Sequence, residues 1–69
     1  MRNLEIIDNT FDNHFTNDES LTQAQLLRAR RVFDSCLWRW PGVEQALPEW
    51  LMEQAIDAAR VEAGMIVAN

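Results

Sequence analysis

Residues 48–66 read Pro-Glu-Trp-Leu-Met-Glu-Gln-Ala-Ile-Asp-Ala-Ala-Arg-Val-Glu-Ala-Gly-Met-Ile, and the distribution of these side chains around a helix decides the architecture. At about 100° per residue, Glu49, Glu53, Asp57 and Arg60 fall in a polar strip only ~80° wide. Gln54 and Glu62 are the exceptions on an otherwise apolar surface. Leu47, Leu51, Ala55 and Ala58 form one ridge, and Met52, Ile56, Ala59, Ala63 and Ile66 form a second; Trp50 and Val61 flank the other side. A helix that is apolar most of the way round is buried on more than one side, so a single amphipathic neighbour does not suffice. Pro48 suits the first helical position, and Glu49 sits well against the positive end of the helix dipole. The pattern runs to about Ile66, with Gly64 offering an earlier stop, and one preceding helical turn fits Val43–Leu47.

The nearest neighbour in sequence is another helix. From Leu21 to Trp40 there is no Gly or Pro, and Ala, Leu, Gln and Arg dominate. Ser20 followed by Gln23 has the spacing of a capping box. Leu26, Ala29, Val32, Phe33, Cys36, Leu37 and Trp40 share one arc, an ordinary buried stripe. Leu27 and Trp38 fall outside it, among polar residues. Pro41-Gly42 closes the helix, because Pro removes a backbone donor and Gly supplies a turn conformation.

Two sources of further cover exist for the second helix. In the N-terminal segment, Leu4, Ile7, Phe11 and His14/Phe15 recur with a helical period, although Asp8-Asn9-Thr10 and Asp12-Asn13 prefer turns and caps. A strand over Leu4–Ile7 is the alternative for this segment, though within one chain it has nothing to pair with. The other source is a second copy of the chain. The expected fold is therefore all-α: an N-terminal acidic arm or short helix over residues 1–19 and a helical hairpin domain over residues 20–69, completed by homodimerisation. Leu51, Met52, Ala55, Ile56, Ala59 and Ala63 are its expected core or dimer residues.

Size and charge narrow the function. Sixty-nine residues make one small domain, with no room for most enzyme scaffolds. The formal charge of −5 has the wrong sign for a general binder of phosphate backbones. Charge is nevertheless segmented: residues 1–20 set Arg2 against five acids, residues 21–42 set four arginines against Asp34, and residues 43–69 set Arg60 against five acids. Such alternation suits segments that fold on one another or on partner chains. A lone Cys36 forms no intrachain disulfide and points to the reducing cytoplasm. No apolar run reaches the ~18–20 residues that span a bilayer, so no membrane association is expected.

The chemistry-bearing residues are few. For His14, the only histidine, nothing in the sequence indicates the orienting group and cleft that a general base needs, and Cys36 lies on the apolar arc as an inert thiol. Asp12, His14, Thr16 and Asp18 alternate like calcium ligands. However, the sixth loop position is Asn17 and the twelfth Gln23, where such a loop needs Gly and Glu. One Cys and one His hold no zinc. Neither a metal nor a cofactor is expected, and the reading is non-enzymatic.

The arginines of the first helix admit a nucleic-acid contact through Arg28, Arg31 and Arg39, with a tryptophan to stack on a base. Pairing with Glu49, Glu53 or Asp57, in the same chain or a neighbouring one, uses them without nucleic acid. Cys36-Leu37-Trp38-Arg39-Trp40-Pro41-Gly42 concentrates the residue types most enriched in binding hot spots. Trp40 and Trp50 read first as core filling. Leu27 and Trp38, exposed in a simple hairpin, point to a partner.

The expected contact surface is Leu27, Arg31, Trp38 and Arg39, with Trp50 beside them. The expected function is a small cytoplasmic interaction protein that regulates or inhibits a larger host or cognate protein, of the kind that phages and mobile elements encode. The alternatives are a nucleic-acid-associated regulator and a structural assembly component.

Overall fold

The computed structural model describes residues 2–43 and 45–65. Three helices account for most of them: α1, Arg2–Phe11, which runs on into a π-helical turn at Asp12–Thr16; α2, Gln23–Trp38; and α3, Glu49–Glu62. No strand occurs among the described residues. The hairpin of α2 and α3 is the main packing unit, and the N-terminal segment is a helix.

α1 forms despite its turn-prone Asp and Asn residues because its apolar period is strong. Ile7, Phe11 and Phe15 are all buried, and Phe15 has no exposed surface. Residues four apart drift about 40° round an α-helix. The wider turn at residues 12–16, closed by Asn17 N donating to Asp12 O at 2.9 Å, offsets that drift. Phe15 thereby stays over Phe11, with ring centroids 4.8 Å apart. Both rings meet Phe33 of α2, at 5.3 and 6.5 Å. The three phenylalanines join Ala29, Leu37, Leu51, Ala55, Ile56 and Ala59 in one cluster. The N-terminal segment thus joins the core that buries the inner face of α3, while Trp50 and Val61 on the other flank of α3 stay exposed. Leu51, Ala55, Ile56, Ala59 and Ala63 are buried within a single chain, and Met52 is half-buried at the edge of the same core.

α2 begins two residues later than the Ser20 spacing suggests. Its N-cap is Thr22, whose hydroxyl accepts from Gln25 N at 3.2 Å while Gln25 Oε1 accepts from Thr22 N at 2.7 Å. Ser20 is engaged elsewhere: its hydroxyl and its N–H both donate to Asp18 Oδ1, at 2.6 and 2.9 Å. The hydroxyl chiefly, and then the N–H, hold the Asp18 carboxyl below its ordinary pKa. Gln25 also reaches across the hairpin, donating from Nε2 to Ala63 O at 3.0 Å, so one side chain ties the start of α2 to the end of α3.

α2 ends at Trp38 rather than Trp40. Gly42 takes a φ of +77°, open to glycine at little cost, and its carbonyl accepts from Gln45 N and Ala46 N, both at 2.9 Å. Val43 and Gln45 lie in a turn and Ala46 and Leu47 are irregular, so among the described residues the further helical turn expected at Val43–Leu47 does not form. Pro48 is the N-cap of α3, and its carbonyl accepts from Leu51 N and Met52 N, both at 3.2 Å. The helix stops at Glu62, before Gly64 with its φ of +78°. Ile66, expected on the second ridge, lies outside the described residues. The start of α1 is fastened to the hairpin turn, where Asn3 Nδ2 donates to Val43 O at 3.0 Å.

Candidate interaction surface

Among the described residues, the α2 arginines divide sharply. Arg30 alone is paired: its Nη2 donates to Asp8 of α1 at 2.7 Å, and its Nε lies 3.0 Å from both carboxylate oxygens of Asp34. Its guanidinium carbon also stands 5.1 Å from the Phe11 ring centroid and 5.9 Å from that of Phe33, in cation–π range. Partial burial opposes the charge, but the hydrogen bonds from Asp8 and Asp34 outweigh it and hold the guanidinium pKa above its ordinary value. Arg30 is thus a structural rivet between α1 and α2.

The expected pairing of the α2 arginines with Glu49, Glu53 or Asp57 does not occur within the chain. Among the described residues Arg28, Arg31 and Arg39 form no ion pair, and all three are exposed. Asp57 instead meets Arg60 of its own helix at 3.7 Å. The reason lies in orientation. α2 and α3 face each other through Ala29, Phe33 and Leu37 on one side and Leu51, Ala55 and Ala59 on the other, so the charged strips lie on the outer sides of both helices.

The surface around Arg28, Arg31 and Arg39, which form no ion pair among the described residues, carries large apolar groups. Leu27 is 66% exposed and Trp38 43%. With about 100° and 1.5 Å per residue, Leu27, Arg31 and Trp38 lie within ~40° of one another along ~16 Å of α2. Arg28 and Arg39 run beside that row, also eleven residues apart. At its end the chain turns, and Trp40 comes edge-on to Trp50 with centroids 5.2 Å apart and rings perpendicular. Trp40 is 42% exposed and Trp50 48%, so neither fills the core as the sequence suggests. Trp40 falls two residues beyond the end of the helix whose phase would have buried it. Between Trp38 and Trp40 lies an open depression of about 360 Å³ floored by the buried Val43 and edged by Pro41, Gly42 and Gln45.

Trp40 is the residue that sequence reasoning missed as a surface group; the Pro41-Gly42 break just after it was the available signal. A second, smaller cleft of about 290 Å³ lies between His14 and the α3 residues Glu53, Ile56, Asp57 and Arg60. The His14 Nδ1 is 3.0 Å from Thr10 O, where it donates as N–H. Among the described residues no group of three His, Cys, Asp or Glu is placed to hold a metal ion, and no helix is long and apolar enough to cross a membrane.

Comparison with protein-family models, with curated proteins and with solved structures gives no match.

Proposed function

We propose that the chain is a small non-enzymatic protein-interaction module, a regulator or inhibitor that acts by occupying a surface of a larger protein. The contact is made by Leu27, Arg31, Trp38 and Arg39 of the α2 face, continued by Trp40 and Trp50 at the hairpin corner. One observation carries this reading: all three tryptophans of the chain are between 42% and 48% exposed and sit at or beside one corner. A small domain has a strong incentive to bury its largest apolar side chains. Leaving all three half in water, next to exposed arginines, is the composition of a binding hot spot rather than of an inert surface. The proposed site of action is the cytoplasm, where the lone thiol of Cys36 remains reduced.

The test is affinity capture with the wild-type chain and with Trp38→Ala side by side, each checked for unchanged helicity by circular dichroism. A specific protein retained by the wild type and lost with Trp38→Ala is the expected result. Equal retention by both rejects the surface.

A nucleic-acid contact through Arg28, Arg31 and Arg39 is a second reading, supported by the absence of an acid partner for these residues among those described. Titration with duplex and single-stranded DNA decides it. Binding that falls steeply with salt favours nucleic acid, and no binding at low salt removes it.

A further inference from the structure

The two charged strips that the fold keeps apart within one chain are matched to each other. On α3, Glu49, Glu53 and Asp57 are exposed at four-residue intervals, with Trp50 and Val61 exposed beside them. Arg31 on α2 and Arg39, its helically disposed C-cap, are exposed eight residues apart, with Leu27 and Trp38 alongside. Eight residues rise about 12 Å and turn through about 80° more than two full circles. Arg31 and Arg39 therefore have the same axial and angular offset as Glu49 and Asp57. Each helix face also offers a large apolar group next to its charges.

We infer that the α2 face of one copy takes the α3 acidic strip of a second copy, with Arg31 and Arg39 set against Glu49 and Asp57. Charge complementarity selects this occupant. The arginines have no acid partner among the described residues, and an exposed helix face with the complementary charges is present on every copy. A helix is also the right shape for the site, because α2 presents a regular helical surface and no strand edge for an extended segment to pair with. The two faces lie on opposite outer sides of the hairpin, so the contact is head-to-tail. It leaves one free face of each kind at the ends and extends to a ring or an open row of subunits. The α2 face is then hidden from a larger partner wherever a second copy sits. This inference does not depend on that partner existing.

The experiment is sedimentation velocity of the full chain over a wide concentration range, at low and at high salt. Concentration-dependent association that weakens with salt is expected, since exposed pairs are screened. Arg31→Glu/Arg39→Glu and Glu49→Arg/Asp57→Arg each weaken self-association about tenfold or more, through lost attraction and new repulsion. An equimolar mixture of the two variants regains wild-type association, because opposite charges face each other again.

A wild-type chain that stays monomeric at every concentration overturns the inference. So does association that neither variant disturbs, or a mixture that fails to recover. All four positions are exposed, so circular dichroism spectra matching the wild type confirm that the variants fold. A chain that self-associates but captures no other protein sinks the proposed function and leaves this inference standing; the reverse outcome does the opposite.

Discussion

Replacing Phe15 by Ala tests whether the N-terminal helix is an integral part of the core. Phe15 has no exposed surface, and its ring lies 4.8 Å from Phe11 and 6.5 Å from Phe33. Truncating a buried Phe to Ala costs about 3–5 kcal/mol in lost transfer energy and cavity formation. The two ring contacts, each about 0.5–1.5 kcal/mol beyond burial, place the cost near ~4 kcal/mol. A chain of this length has a total stability of only about 3.5–10 kcal/mol at ~0.05–0.15 kcal/mol per residue. The variant therefore loses a large share of its stability. At about 4–8 °C per kcal/mol for a domain this small, its Tm falls by roughly 15–30 °C.

The assay is thermal unfolding followed by circular dichroism at low protein concentration, with Leu4→Ala as a control on the same helix. Leu4 is 38% exposed, so its truncation moves Tm little. A fall of less than about 5 °C for Phe15→Ala refutes the reasoning. It means that α1 melts apart from the hairpin and that α3 finds its cover elsewhere.

Two further predictions follow from the polar contacts. Gln25→Ala removes one half of the α2 capping box and the link to Ala63 O, and is expected to cost about 1–2 kcal/mol in urea unfolding, more than Ala at the exposed neighbour Gln23. Asp18 has a depressed pKa in the folded chain because of Ser20, so its contribution to stability is present above its ordinary value of 3.8 and is lost as pH falls through its lower folded value. Ser20→Ala raises the Asp18 pKa toward 3.8, which carboxyl chemical shifts in an NMR titration report directly; an unmoved titration rejects the assigned cause.

Much of the hairpin was legible because it rests on local rules. A continuous apolar arc, a Pro-Gly break and a Pro-Glu start specify two helices and the turn between them. The misreadings come from places where two residues compete for the same role. Ser20 and Thr22 both head plausible capping boxes, and Thr22 wins because Asp18 already holds the Ser20 hydroxyl. Trp40 lies in phase with the α2 core stripe only if the helix reaches it; ending at Trp38, the helix leaves Trp40 to the turn. For α1, weak helix formers at Asp8–Thr10 and Asp12–Asn13 argue against what Ile7, Phe11 and Phe15 argue for. Tertiary burial settles the contest, as is usual when an apolar face has a core to join.

The surface was less legible than the fold. Solvent exposure at Leu27 and Trp38 follows from helical phase alone. That Arg28, Arg31 and Arg39 form no ion pair among the described residues does not, since the charge pattern equally allowed pairing with α3. Only the relative orientation of the two helices shows that the acids and bases lie on opposite flanks. Arg30, whose direction differs from that of Arg28 on the wheel, proves to be the residue that the fold itself uses.

The aromatic residues are sorted by type. All three phenylalanines are interior, and all three indoles stand at the rim, two of them in edge-on contact. The chain's ultraviolet emission therefore originates outside its hydrophobic interior. It should be red-shifted already in the native state and comparatively insensitive to melting, yet it should change in colour and yield when another molecule covers that corner. The protein carries its own optical gauge of occupancy, with no dye or label required.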